Sequence, residues 1–275
     1  MSFRILDGFT FFNEYDLLEM RLKLLYQQVD KFVIVEADKT YAGKEKPFNF
    51  TAHKDRYQWA AEKIIYLPIH VDTAGLFLGE DPTVDYWKIE FNQRGAIVKG
   101  CEGFDSFDVL IVSDVDEIPS REIITAVRSN RELRASVPFA CRQHAFYYKL
   151  EHLREEVWHG SLFCTVGMAR TFGTQFLRDR RNIFAPLQPG GWHLSFFNGA
   201  EAIQTKIRSF SHQEFNKDEF LRPDHINACI RDGKDLFNRE VPTRKVGPEF
   251  FPLYFYEIAR NYRHFFQETA EPSAG

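Results

Sequence analysis

The sequence predicts an α/β fold, with one mixed but mostly parallel sheet flanked by helices. Short apolar runs alternate with segments of helical periodicity over the first 120 residues, an order typical of a parallel sheet covered by helices on both faces. One run, residues 109–112, consists of four consecutive aliphatic residues, as in a strand buried on both faces. After Pro138 the apolar segments become longer and more aromatic, which favours an antiparallel or mixed extension of that sheet.

The first half of the chain consists of alternating predicted strands and helices. The predicted strands cover residues 3–12, 32–35, 63–67 and 109–112. Helical spacing of apolar residues predicts helices over residues 17–29, 53–62 and 87–98. Glycine and proline between residues 70 and 85 indicate a loop.

The second half is predicted to extend the same sheet. Residues 139–150 and 162–171 are predicted strands, and a glycine turn at residues 189–191 leads into a short aromatic strand. Helices are predicted to begin near Ser120 and to cover residues 199–210, and residues 251–266 are predicted to pack as a terminal helix or strand. We find no repeat or low-complexity linker, so we predict one domain over residues 1–267 and a disordered tail over residues 268–275.

Composition excludes several classes of protein. The chain is 44% hydrophobic and 27% charged, as in soluble globular domains, and its net charge of −4 gives no reason to expect nucleic acid as a partner. Four separated cysteines without a Cys-x-x-Cys pair indicate buried free thiols. Because the sequence shows neither a signal-peptide pattern nor an apolar run of membrane-spanning length, we predict a soluble, cytoplasmic protein.

Three acidic residues directly follow the most apolar strand. Asp114, Asp116 and Glu117 stand at its carboxyl end, the edge where open α/β sheets bind ligands. Residues two apart in an extended segment point to the same side, so Asp114 and Asp116 are predicted to hold one Mg²⁺ or Mn²⁺. Such ions take further ligands from water and substrate phosphates, which predicts a phosphorylated substrate. The alternative is that these acids cap the following helix.

Polar residues also follow the first two predicted strands. Asn13 and Glu14 follow the first, and Glu36 and Asp38 follow the second. Since the carboxyl ends of parallel strands share an edge, we expect these residues to converge with the acid pair on a nucleotide pocket; helix capping is the alternative. A later basic cluster is interpreted as a solvated face, with phosphate contact as its alternative: Arg178, Arg180 and Arg181.

Three stretches in one order resemble a known family. They are residues 12–21 (FNEYDLLEMR), residues 113–119 (SDVDEIP) and residues 191–196 (GWHLSF). The similarity also takes in residues 32–50 and reaches at least Phe237. Together these stretches resemble glycosyltransferase family 17.

The resemblance implies a GT-A-like, Rossmann-type fold and a metal-dependent glycosyltransferase that inverts the anomeric carbon. The implied donor is a UDP-sugar, UDP-GlcNAc above all, and the implied cofactor is Mn²⁺ or Mg²⁺. The nucleotide-binding half is expected at about residues 1–120 and the acceptor half at about residues 121–267. Because no membrane anchor is seen, we expect a lipid-linked, surface or small glycan acceptor, which leaves room for peripheral contact with a membrane.

Each candidate residue then has an expected role. Asp116 is expected to bind the metal directly, Asp114 through water or to hold donor hydroxyls, and His193 as a further ligand. The residues expected to contact the nucleotide or diphosphate are Asn13, Glu14, Glu36, Asp38, Arg94, Asp114 and Lys206. The base that deprotonates the acceptor is expected at Glu214, with Glu117, Asp224 and His212 as alternatives.

Two other functions compete with this hypothesis. A nucleotidyltransferase or phosphatase also places a D-x-D motif at a strand end, but residues 3–16 contain no glycine-rich phosphate loop. A non-catalytic glycan-binding protein of the same fold would use aromatic platforms such as Trp87, Trp158 and Trp192. The intact acid pair favours the enzyme.

Overall fold

Ten strands form the central sheet. A computed structural model describes residues 3–78 and 85–267 of the protein. The strands in these residues are β1 (Ile5–Thr10), β2 (Lys31–Ala37), β3 (Ile64–Ile69), β4 (Val109–Asp114), β5 (Glu117–Pro119), β6 (Phe139–Tyr147), β7 (His152–Thr165), β8 (Ala185–Leu187), β9 (Gly191–Ser195) and β10 (Thr243–Lys245).

The sheet has the order β3-β2-β1-β4-β7-β6-β9-β5, with β10 paired to β7 and β8 paired to β6. The first four strands in this order are parallel to one another. At β4 the direction changes, because β7 pairs antiparallel with it. The predicted α/β class is therefore confirmed, with one mixed sheet whose first part is parallel and whose extension contains antiparallel pairs.

Helices cover both faces of this sheet. In the described residues they are α1 (Tyr15–Leu25), α2 (Asn49–Ala52), α3 (Tyr86–Gly95), α4 (Arg121–Ser129), α5 (Arg131–Ala135), α6 (Val166–Phe172), α7 (Thr174–Asp179), α8 (Gly199–Ile207), α9 (Asp218–Leu221), α10 (Pro223–Asp232) and α11 (Leu253–Ala259). Short 3₁₀ helices cover Lys54–Lys63, Ala96–Cys101, Gln213–Phe215, Pro248–Phe250 and Arg263–Phe265.

The apolar residues of the parallel strands alternate between two cores. Ile5 and Phe9 of β1 join a cluster that includes Leu18 and Leu22 of α1. Leu6, between them on β1, joins the opposite cluster. Because successive side chains of a strand point to opposite faces, a strand covered on both sides is apolar at nearly every position. This is why the uninterrupted run of β4 identified a central strand.

Several predicted boundaries need correction. The predicted strand over residues 162–171 is the end of β7 followed by α6, because the Thr165 hydroxyl accepts a hydrogen bond from the Met168 N–H (3.0 Å) and starts a helix there. The helix predicted over residues 53–62 is 3₁₀ over Lys54–Lys63, after the short α2. Strand β3 continues through Pro68, which an edge strand tolerates.

The remaining features concern the termini and the cysteines. The terminal aromatic segment forms α11 and a 3₁₀ turn, and Phe255 and Phe265 are buried in the larger core. All four cysteines are buried free thiols, as predicted. The predicted disordered tail, residues 268–275, lies outside the described residues. Among the helices described, none is both long and apolar enough to cross a membrane.

Candidate functional site

A cavity of about 740 Å³ lies at the carboxyl ends of β1 and β4. Thr10, Asp114 and Asp116 line it from the parallel part of the sheet, and His193 and Ser195 line it from β9. The residues that lead out of α8 complete the wall with Phe210, His212 and Phe215. The cavity therefore takes its lining from both halves of the chain, as a pocket for two substrates requires.

Basic residues outnumber acidic residues in this lining. Among the residues that the structure describes, the lining has seven Lys and Arg side chains and five Asp and Glu side chains: Lys39, Lys46, Arg94, Arg178, Arg181, Lys206 and Arg239, against Glu14, Glu90, Asp114, Asp116 and Asp179. The protein as a whole carries a net charge of −4. A local excess of positive charge in an acidic protein favours an anionic ligand in the cavity.

A buried arginine holds the turn that presents the D-x-D motif. The Arg21 guanidinium forms an ion pair with Asp7 (2.6 Å) inside the sheet–helix interface. It also donates hydrogen bonds to the backbone carbonyls of Asp114 (3.1 Å), Val115 (3.2 Å) and Glu117 (2.6 Å). These bonds hold the backbone of the turn at three carbonyls through one guanidinium group, and so they fix where the two acids point.

Both carboxylate oxygens of Asp114 accept from protein donors. Oδ1 accepts from the Thr10 hydroxyl (3.1 Å) and from Arg94 Nη2 (2.8 Å), and Oδ2 accepts from Arg178 Nη2 (3.3 Å). Burial alone would raise the pKa of Asp114, but the two guanidinium groups outweigh it and hold that pKa well below its ordinary value. Asp114 is ionised at neutral pH, and its surroundings differ from the open ligand position predicted from sequence.

Asp116 lies beside a lysine and a histidine. Lys206 Nζ donates to Asp116 Oδ2 (2.8 Å), and His193 Nε2 is 3.9 Å from the same oxygen. Burial lowers the pKa of His193, an effect that outweighs the nearby Asp116 and Glu117, so the imidazole is neutral at neutral pH. Burial would lower the pKa of Lys206, but Asp116 and Glu14 raise it above its ordinary value. The ammonium is therefore charged.

Glu14 reaches the same cavity from the start of α1. Its Oε2 accepts from the backbone N–H groups of Phe12 (3.2 Å) and Asn13 (3.1 Å). Burial raises its pKa above the ordinary value, and Lys206 opposes that rise. Glu14 and Lys206 thus lie close enough for their charges to interact.

Asp116 and His193 fit a divalent cation as a pair of ligands. A carboxylate oxygen and a neutral imidazole nitrogen are both suitable for Mn²⁺, and the two atoms face each other across 3.9 Å. Within residues 3–78 and 85–267, no group of three His, Cys, Asp or Glu side chains could hold a metal ion by itself. Further ligands would have to come from substrate and water, as is usual for Mg²⁺.

Five of the predicted site residues do not line the cavity in the described structure: Asn13, Glu36, Asp38, Glu117 and Glu214. Glu36 is buried and accepts from Lys46 Nζ (2.6 Å) and the Asn49 N–H (2.6 Å), so it anchors the loop after β2. Asp38 accepts from the Val71 N–H (3.0 Å) and contacts His70. Asn13 contributes its backbone to the contact with Glu14. Glu117 lies beneath the cavity floor.

Glu117 is fully buried and held by three donors. Its Oε1 accepts from Arg178 Nη2 (2.5 Å) and Trp158 Nε1 (2.9 Å), and its Oε2 accepts from the Asp114 N–H (3.1 Å). These contacts correct the prediction that it is a candidate base, because both of its oxygens already accept hydrogen bonds from protein donors and the side chain does not line the cavity in the described structure.

The other candidate bases lie at or beyond the rim. His212 lines the cavity, and its Nδ1 is 2.7 Å from Glu214 Oε1. Glu214 itself is half-exposed and outside the lining. Asp224 is exposed, pairs with Arg222 and borders a separate, smaller pocket. Of these three, the His212–Glu214 pair is the one that the structure places next to the cavity.

Three residues that the sequence singled out have surroundings that the sequence did not predict: Arg178, Trp158 and Trp192. Arg178 is only 2% exposed and lines the cavity, which corrects the interpretation of its cluster as a solvated face. Its position in a basic cluster was the available signal, but Arg180 and Arg181, which follow it in that cluster, are exposed and half-buried, respectively. Trp158 stacks on His193 with ring centroids 4.1 Å apart, whereas Trp192 packs in the core against Phe255 and offers no sugar platform.

Comparison with known proteins identifies a family. The family model described as "Glycosyltransferase family 17" matches residues 1–244. The chain is 24% identical over 317 residues to the beta-1,4-mannosyl-glycoprotein 4-beta-N-acetylglucosaminyltransferase of Homo sapiens, covering 99% of this chain and 57% of that protein. The same enzyme of Rattus norvegicus is 24% identical, covering 95% and 54%. The chain thus spans about half the length of the curated relatives it matches.

Among solved structures, the galactosyltransferase LgtC in complex with donor and acceptor sugar analogues aligns with 98% of this chain and 97% of its own, at 12% identity and a TM-score of 0.36. An active-site mutant of LgtC aligns at 12% identity with a TM-score of 0.34. The family match extends from the first strand through the D-x-D turn and His193 to Arg244. On that match, this chain belongs to glycosyltransferase family 17.

Proposed function

We propose that the protein is a metal-dependent, inverting glycosyltransferase that transfers a sugar from a UDP-sugar to a hydroxyl of a glycan or other acceptor. The names of its relatives support GlcNAc as the sugar. The observation that carries the proposal is one cavity in which the side chains of Asp116 and His193 approach within 3.9 Å of each other, beside a lining whose described residues include more basic than acidic side chains. That combination suits a diphosphate bound together with a divalent cation.

The cavity residues divide between the two substrates. Thr10, Glu14 and Arg94, at the carboxyl edge of the parallel strands, lie where a nucleotide binds in open α/β sheets. The opposite wall carries Phe215 and Phe237, stacked with centroids 4.1 Å apart, and suits the apolar face of an acceptor sugar. A bound divalent cation would supply stabilisation of the charge that develops on the leaving diphosphate.

The proposed sugar transfer is a single displacement at the anomeric carbon. An acceptor hydroxyl oxygen bonds to the anomeric carbon as the bond from that carbon to the diphosphate oxygen breaks, and UDP leaves with the bonding electrons. The hydroxyl proton passes to His212, whose other role in the structure is its contact with Glu214. Lys206 and Arg94 provide positive charge beside the leaving group. Acceptor identity and a cytoplasmic location stay predictions.

Calorimetric titration of the protein with UDP-GlcNAc, other UDP-sugars and a GDP-sugar, with and without Mn²⁺, tests the proposal. We expect a UDP-sugar to bind more tightly with Mn²⁺, and Asp116→Asn to remove that dependence on Mn²⁺. Asp179→Asn is the matched control, since Asp179 also lines the cavity but is exposed and pairs with Gln175. Failure of wild-type protein to bind any UDP-sugar in the presence of Mn²⁺ or Mg²⁺ would refute the proposal.

The reaction itself needs a second measurement. Release of UDP in the presence of an acceptor would identify a transferase, whereas release of pyrophosphate would identify a nucleotidyltransferase. If the protein binds glycans and UDP-sugars but neither product forms with any acceptor tested, the non-catalytic hypothesis takes its place.

A further inference from the structure

The two acids of the D-x-D motif have different surroundings. Asp116 has a basic and an imidazole neighbour on the cavity side, whereas both oxygens of Asp114 already accept hydrogen bonds from Thr10, Arg94 and Arg178. A carboxylate whose oxygens are shared between two guanidinium groups has its charge largely satisfied before any cation arrives. The motif therefore presents one acid for a metal and one acid for something else.

Arg94 and Arg178, which both donate to Asp114, also donate hydrogen bonds to other residues. Arg94 donates to Glu90 Oε1 (2.6 Å) and to Gln175 Oε1 (2.7 Å). Arg178 donates to Glu117 Oε1 (2.5 Å) and to the Gly160 carbonyl (2.5 Å). Acids and arginines thus alternate in one chain of ion pairs, with Asp114 at its centre: Glu90, Arg94, Asp114, Arg178 and Glu117.

Both arginines reach the cavity although they are almost fully buried. Arg94 is 4% exposed, Arg178 is 2% exposed, and both line the cavity. Arg94 Nε is buried and has no hydrogen-bond partner within the part of the chain that is described. Burial would lower the pKa of Arg178, and the nearby Arg94 lowers it further, but Glu117 and Asp114 outweigh both and raise that pKa above its ordinary value. A carboxylate between them is what allows two cations to occupy one wall.

We propose that Asp114 is a positioning residue, which holds Arg94 and Arg178 together as a cationic wall for the diphosphate of the donor, and that it is not a metal ligand. The inference rests on the proposed function for the identity of the ligand. Arginine forks bind phosphate oxygens in pairs, so their fixed orientation matters as much as their charge. Asp116 and His193 alone then supply the protein ligands of the cation.

Two measurements on the intact chain separate the two acids. Mn²⁺ affinity is measured from the signal of free Mn²⁺ in electron paramagnetic resonance. Binding of UDP and of uridine is measured calorimetrically without metal, and the ratio of the two affinities reports the contribution of the diphosphate. We expect Asp114→Asn to leave Mn²⁺ affinity within about threefold of wild type and to lower the UDP-to-uridine ratio about tenfold, the worth of one charge-assisted hydrogen bond. Asp116→Asn is expected to weaken Mn²⁺ binding tenfold or more.

A variant with a smaller change controls for the possibility that Asp114→Asn misfolds. Thr10→Val removes only the hydroxyl that donates to Asp114 and should change the UDP-to-uridine ratio in the same direction by a smaller factor. A double-mutant cycle of Asp114→Asn with Arg178→Lys should be non-additive for UDP and additive for Mn²⁺, which a general structural role would not produce. Loss of Mn²⁺ affinity in Asp114→Asn, or a UDP-to-uridine ratio that is unchanged or higher, would overturn the inference. Absence of UDP binding in wild-type protein would instead overturn the proposed function.

Discussion

At the scale of single residues, Arg21 shows how a charge inside the protein can serve the site. Arg21 and Asp7 are both fully buried, and the arginine reaches three carbonyls of the D-x-D turn. Removing one partner of a buried ion pair leaves the other charge buried without a counter-charge, which strongly destabilises the folded state. This loss is much larger than the stability that an intact ion pair adds relative to apolar residues in its place. The turn then loses its donors as well.

We therefore expect Arg21→Met to lower the free energy of unfolding by about 3–5 kcal/mol, measured by urea denaturation. Arg260→Met is the control, because Arg260 pairs with Glu257 on the surface with both side chains about half-exposed, and its loss should cost under about 1 kcal/mol. Equal effects of the two substitutions would show that the buried network contributes no more than a surface pair.

At the scale of elements, β9 places His193 through a glycine turn. Gly191 has φ +107° and pairs with Pro119 of β5. A Cβ at this position would lie 2.1 Å from the Ile118 carbonyl oxygen and 2.6 Å from the Ser120 nitrogen. The backbone of β5 could give way only by separating from β9, and His193 lies two residues further along that strand. The glycine thus sets the distance between His193 and the D-x-D turn.

We therefore expect Gly191→Ala to lower the free energy of unfolding by more than the backbone strain of a positive φ alone would. We also expect it to weaken Mn²⁺ binding. Gly103→Ala is the matched control: Gly103 has φ +76°, but no atom lies within 4 Å of the position of its Cβ, so only the backbone strain of about 1 kcal/mol remains. Thermal unfolding and Mn²⁺ titration of both variants make the comparison. A Gly191 variant that behaves like the Gly103 variant would contradict the role of this close approach.

At the scale of the whole molecule, the sheet is continuous across the two predicted halves. Strand β4, whose residues Val109–Val112 are fully buried, pairs with β1 on one side and with β7 on the other. Strand β5 pairs with β9. A fragment that ends near residue 120 would leave β4 as an unpaired apolar edge, which favours aggregation over folding.

We expect residues 1–120 and residues 121–267, produced separately, to lack the cooperative unfolding transition of the joined chain over residues 1–267. Far-UV circular dichroism during urea denaturation tests this directly. A cooperative transition in the isolated first fragment would show that the nucleotide-binding half is an independent domain and that the second half is an addition to it.

Features that depend on neighbouring residues could be predicted from the sequence. Strand β4, helix α1 and the acids Asp114 and Asp116 were correctly located because hydrophobic periodicity and motif spacing are properties of neighbouring residues. Glu36 and Glu117 show the limit. Both are acidic residues next to strand ends, where open α/β sheets bind ligands. The carboxylate of each, however, already accepts hydrogen bonds from other residues of the protein.

By itself, then, the sequence determined the order of strands and helices, the edge of the sheet that carries the site, and the resemblance to the family to which the chain belongs. Only the tertiary structure decided that Asp114 lies between two arginines and that Asp116 lies beside Lys206 and His193. Arg178 is 64 residues from Asp114 in the chain, and Lys206 is 90 residues from Asp116. Contacts over such separations depend on how β7, α7 and α8 pack against β4, and no local pattern of residues encodes that packing.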